Sequence, residues 1–140
     1  MKILNIPYHQ FLGLKSAKDE KFIFHAEAKP EYLNHLGNVH ACVQLSLAEA
    51  SSGEFLLREL FELKDDLIPV IRNTEAKYHK PANGFISSKA QFHTLSTPEV
   101  IMELTEKNRT LVKVKTEVYD EHEVKTLTAI FEWFIIKKTT

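Results

Sequence analysis

Cys42 is the only cysteine among 140 residues, so no disulfide can form within the chain and a reducing, cytoplasmic setting is expected. No apolar run approaches the roughly 18 residues that a membrane-spanning helix requires. The opening Met1-Lys-Ile-Leu-Asn-Ile-Pro7 lacks the long apolar segment and cleavage site of a signal peptide. Charge of one sign is also missing: 18 Lys and Arg against 19 Asp and Glu leave a formal net charge of -1, which gives neither nucleic acid nor an anionic membrane a reason to bind. His25, His79, His93 and His122 are scattered without the spacing of metal ligands, so neither a metal nor a cofactor is expected. No repeat, low-complexity stretch or linker divides the chain, and a single domain over residues 1–140 is the expected organisation.

What is present centres on Asn34-His-Leu-Gly37-Asn-Val-His40-Ala-Cys-Val-Gln-Leu-Ser-Leu-Ala-Glu49-Ala-Ser-Ser-Gly53. From about residue 39 to 64 the pattern predicts one long helix. Its first half is apolar nearly all round and should be enclosed, while beyond Gly53 a stripe of Phe55, Leu56, Leu60, Phe61 and Leu63 opposes charged residues. One carboxylate, Glu49, falls in the enclosed half, and a charge taken out of water needs a partner or a purpose. Cys42, Leu45, Ser46, Ser52 and Gly53 share its face at helical spacing, and most are small, which leaves room for a ligand. Cys42 itself reads as a small core residue.

The rest of the chain is predicted to be mostly strand. A short helix around Tyr8–Leu12, closed by Gly13, precedes a strand at 21–28. After the long helix come strands at 67–80, 85–94, 100–105, 110–119 and 124–137, the second expected to pair with the first through Pro81-Ala-Asn83-Gly84. Five or six antiparallel strands need one face covered, and the long helix is available to cover it. A dimer that continues the sheet would protect its edges.

Asn34-x-x-Gly37-x-x-His40, followed nine positions later by Glu49 in Leu47-Ala-Glu49, resembles the signature of hotdog-fold acyl-CoA thioesterases of the phenylacetyl-CoA and 4-hydroxybenzoyl-CoA branch. Phe11-Leu-Gly-Leu14 and Lys77-Tyr-His-Lys-Pro81-Ala-Asn-Gly84 are similar to two further elements of that family. The resemblance implies an α+β hotdog fold, with one long central helix wrapped by a five- to six-stranded antiparallel sheet. It also implies an acyl-CoA substrate, and a homodimer or dimer of dimers with sites at the subunit interface.

On these residues the family chemistry assigns Glu49 as general base or nucleophile. The backbone N–H of Ala41, at a helix start that favours negative charge, becomes the oxyanion donor. Asn34 orients water or the thioester carbonyl, and His40 shapes the turn or bonds nearby. Gly37, Ser46, Ser52 and Gly53 are the candidate substrate-contacting positions. Where the family usually has glycine after the histidine this chain has Ala41-Cys42, and Gly53 replaces a frequent Ser or Thr. Those departures keep a second reading open, a non-catalytic hotdog module that binds acyl-CoA; a third is a hotdog dehydratase or hydratase, which also sets a His against a carboxylate. The latter usually carries a Pro-Gly pair before the helix and a wider His-to-Glu spacing, both missing here. Alone, Glu49 is equally compatible with a buried structural carboxylate.

Overall fold

Alternation of apolar and polar residues is cleanest in the last third of the chain, and two long strands form there: β5 (Arg109–Asp120) and β6 (Lys125–Lys137). In the computed structural model, which describes residues 1–138, Val112, Val114 and Val118 of β5 turn inward with Leu127, Ala129, Phe131, Trp133 and Ile135 of β6. Positions 139 and 140 of the expected domain lie outside the described residues. The other strands are β1 (Lys15–Ser16), β2 (Phe24–Ala26), β3 (Leu67–Tyr78) and β4 (Ile86–Phe92). All six form one antiparallel sheet in the order β1-β2-β4-β5-β6-β3.

Three helices accompany the sheet: α1 (Pro7–Leu12), α2 (Ala41–Glu59) and α3 (Thr97–Lys107). Helix α2 lies on the inner face, and Leu47, Ala48, Ala50 and Leu56 supply much of its contribution to the core. Its buried surface also carries Gln44, Ser51 and Ser52, each of them bonded as burial requires. Gln44 Oε1 accepts from Thr126 Oγ1 at 2.7 Å, Ser51 pairs with Ser88 of β4, and Trp133 Nε1–H donates to Ser52 Oγ at 3.1 Å. The architecture is the expected one, a long helix wrapped by a six-stranded antiparallel sheet. No helix among the described residues is long and apolar enough to cross a membrane.

Four local expectations are corrected. Helix α2 is shorter than 39–64: His40 caps it, and past Glu59 the chain continues as turns and a 3-10 turn at Lys64–Asp66, which leaves Phe61 of the expected stripe exposed. Cys42 is exposed rather than in the core, because it sits in the first turn, before the helix enters the sheet's concavity. Strand β4 does not pair with β3. The segment between them crosses over with Ala82 buried and its carbonyl accepting from Val39 N–H at 2.9 Å, so β4 joins β2 and β5 while β3 lies on the far edge beside β6.

The fourth correction is residues 100–105, which belong to α3 and not to a strand. Ser96 and Glu99 form a reciprocal capping box, satisfying two N–H groups that a helix start otherwise leaves open. Val100 and Leu104, one turn apart, then bury together.

Candidate functional site around Glu49

The site begins at the N-terminal segment. Ile3–Asn5 form a 3-10 turn, and Pro7 opens α1 at a position where its missing N–H costs nothing. This short helix carries His9 inward, where it is only 4% exposed. His9 Nδ1 lies 2.8 Å from the Ile3 carbonyl oxygen. A carbonyl can only accept, so Nδ1 carries a hydrogen and donates it. The other ring nitrogen, Nε2, faces Glu49 Oε2 at 3.4 Å.

Glu49 projects from the middle of α2 with 36% of its side chain exposed. Burial pushes its carboxyl above the usual carboxylate range, and the charge and hydrogen bonding of His9 offset part of that rise. The carboxylate is thus a stronger base than a solvated one. It heads a cleft of about 370 Å³ whose walls include Ile3, Ile6, Leu57, Pro69, Ile71 and Trp133, with Gly53 on its helix side. A Cβ built on Gly53 would stand 3.3 Å from Ile3 Cδ1 and 3.7 Å from the Trp133 ring, so glycine lets these two side chains close on the helix.

Ser46 and Ser52 flank Glu49 along the helix. Ser46 Oγ donates to the Cys42 carbonyl at 2.8 Å and lies 3.0 Å from the Tyr8 hydroxyl. Ser52 Oγ donates to the Glu49 carbonyl at 2.7 Å and accepts from Trp133, so its hydroxyl is committed within the protein.

The remaining candidates gather at the start of α2. Asn34 Oδ1 accepts from Leu36 N–H at 2.9 Å and from Asn38 N–H at 3.1 Å, and Gly37 closes the same loop at φ 78°. His40 Nδ1 accepts from Cys42 N–H at 3.0 Å, which makes the histidine the helix cap. The Ala41 carbonyl accepts from the Tyr78 hydroxyl at 2.9 Å, while no acceptor among the described residues pairs with the Ala41 N–H. Eight residues separate Ala41 from Glu49, roughly 12 Å along the helix axis. The candidates therefore fall into two clusters on one helix, a carboxylate in a cleft and an open N–H at the helix start. Among the described residues no cluster of three or more His, Cys, Asp or Glu side chains is arranged to hold a metal ion.

The family model described as "Domain of unknown function (DUF4442)" matches residues 16–135. The chain belongs to this DUF4442 family. A search of curated proteins finds no match. Among solved structures, a protein of unknown function from Pseudomonas aeruginosa is 17% identical, with a TM-score of 0.77 over 96% of this chain and 91% of that one. A thioesterase of Haemophilus influenzae is 17% identical, with a TM-score of 0.72 over 99% and 88%. A Bacillus halodurans protein crystallised with CoA is 18% identical, with a TM-score of 0.64 over 81% and 70%. The fold of this DUF4442 member is the hotdog fold of thioesterase-superfamily proteins.

Sequence reasoning missed His9, which lies outside the matched 16–135 stretch. The available signal was a histidine three residues before Leu12 on a short helix, on the face that turns inward. It also missed Trp133 and Tyr78, whose polar atoms reach α2 from β6 and β3.

Proposed function

We propose that this chain hydrolyses acyl-CoA thioesters, with Glu49 as general base toward water or as the nucleophile. The observation that carries the reading is a half-buried carboxylate of raised basicity at the head of an apolar cleft. The carboxylate would serve the attack, and the cleft would take the acyl group. Ala41 N–H would hold the developing oxyanion, helped by the partial positive charge of the helix start. Gly53 would line the acyl cleft, Ser46 and Gly37 would lie along the path of the substrate, and Ser52 would brace the helix behind Glu49.

The two-turn separation between Ala41 and Glu49 is too long for one thioester group to meet both. The reading therefore includes a homodimer, alone or doubled, in which the helix start of one copy faces Glu49 of the other. Strand β3 supports this arrangement: it is a sheet edge with one side unpaired, and every residue from Arg72 to Lys80 is exposed. The CoA held by the Bacillus halodurans structure supports a CoA thioester as the ligand class.

One observation favours the second reading, a module that binds acyl-CoA without cleaving it. The Asn34 side-chain oxygen is taken up by its own loop, leaving only the amide nitrogen to orient a water or carbonyl. A panel of short, long and aromatic acyl-CoAs, followed by free-thiol release with Glu49→Gln as control, separates the two. Release that disappears in the variant is expected. Turnover surviving in Glu49→Gln removes that residue from the chemistry, and saturable binding without release favours the module.

A further inference from the structure

The pairing of His9 with Glu49 has a direction that hydrogen-bond chemistry fixes. The Ile3 carbonyl accepts from both Ile6 N–H at 3.2 Å and His9 Nδ1–H at 2.8 Å, so the ring cannot exchange its two nitrogens without losing a buried bond. Its tautomer is set, and Nε2 is left either as a lone pair or, in the imidazolium, as a second N–H. The Glu49 carboxyl is the group beside that nitrogen. No other side chain bonds His9 among the described residues: the Tyr8 ring packs at 6.1 Å between centroids, with its hydroxyl turned to Ser46. From β3 and β6 the cleft presents Pro69, Val70, Ile71 and Trp133, none of which titrates in the ordinary range, and Met1 is at its rim.

We propose that His9 is the proton partner of Glu49: Nε2–H of its imidazolium faces Oε2 and holds the carboxylate ionised, so that the other carboxylate oxygen is free to take the proton of the attacking water. The inference rests on the thioesterase reading and deepens it. Water attacks the thioester carbonyl carbon and loses a proton to the Glu49 carboxylate, and the new C–O bond places negative charge on the carbonyl oxygen. The proton rests on Glu49 Oε1 while the tetrahedral species persists, and Nε2–H stays on Oε2. When the C–S bond breaks, sulfur leaves with the electron pair and receives that proton, giving carboxylic acid and thiol. His9 does not touch the reacting atoms. It is a positioning residue that acts through Glu49, and the turn at Ile3–Asn5 becomes part of the apparatus because its carbonyl orients the ring.

Two substitutions distinguish this role from a structural one. His9→Asn keeps a donor where Nδ1 stood, toward Ile3, and removes Nε2. His9→Gln keeps a donor toward Glu49 and carries no charge. If His9 only anchors the N-terminal segment, Asn restores wild-type turnover; if it only offers Glu49 a hydrogen bond, Gln does. A charged imidazolium on Glu49 is restored by neither. The expected result is a fall in kcat of about 100-fold in both variants with little change in KM, since a misplaced general base costs about 10²-fold. The acid limb of the kcat/KM profile should move to higher pH, because His9 no longer favours the ionised carboxylate. Near-wild-type kcat in either variant overturns the proposal.

A second measurement needs no turnover. The ¹³C signal of the Glu49 side-chain carboxyl, assigned by its loss in Glu49→Gln, is titrated in wild type and in His9→Asn. Its midpoint should rise in the variant, and an unmoved midpoint overturns the pairing even where hydrolysis is found. If wild type cleaves no acyl-CoA in the panel, the thioesterase reading fails, while a raised midpoint still supports the pairing.

Discussion

Trp133 Nε1–H donates to Ser52 Oγ, and the same hydroxyl donates to the backbone carbonyl of Glu49. The last strand is thus tied to the central helix one turn behind the carboxylate. Replacing Ser52 by Ala leaves the buried indole N–H without an acceptor, which costs about 1–3 kcal/mol. Urea unfolding should show the midpoint lowered with an unchanged slope. An unchanged midpoint would mean that Trp133 finds another partner.

Glu49 sets site chemistry against stability. Its carboxyl is raised in the folded state, so the native protein binds more protons than the unfolded chain between the unfolded and folded values. Stability is therefore lost as pH rises through that window, and the ionised group destabilises the fold above it. Glu49→Gln should melt higher than wild type at pH 7, with the gap narrowing on acidification toward pH 4. A gap that widens in acid would reverse the assigned sign.

Gly53→Ala tests how tightly the cleft closes. Alanine gains about 1 kcal/mol of helix propensity, and its methyl group presses on Ile3 Cδ1 at 3.3 Å. The side-chain end of Ile3 can give by a few tenths of an ångström, so stability should change little while the cleft narrows. In an acyl-CoA series KM should rise for the bulkiest acyl groups first, and a uniform rise across the series would place the acyl group elsewhere.

Ser96→Ala removes half of the capping box of α3 and should cost about 1 kcal/mol. Chemical denaturation measures it, and activity should stay at the wild-type level because α3 packs on β5 and β6, away from the cleft.

The sequence was most legible where one period dominated. The Val112-Val114-Val118 alternation placed β5, and the proline-free run after His40 placed α2 and its enclosed half. It was least legible where a local signal had a second interpretation. Val100-Ile-Met reads as strand on side-chain type, yet the Ser96–Glu99 box and the four-residue step to Leu104 make it a helix. Turn residues before β4 marked a change of direction, but not which strand would receive it, since pairing is decided by the whole sheet. At the site, Glu49 stood out as a charge in an apolar run, whereas its partner His9 arrives from forty residues upstream. Spacing along one helix cannot register a neighbour of that kind.

The group that orients His9 is a main-chain oxygen, and every amino acid at position 3 would supply the same one. Side chains there can change freely, within the limits of packing, without altering which ring nitrogen meets Glu49. Any comparison of relatives by residue identity would see a lone histidine before residue 16 and nothing beside it. The relationship is written in the path of the backbone, and only superposed structures, or the titration of Glu49 itself, would reveal whether other DUF4442 proteins share it.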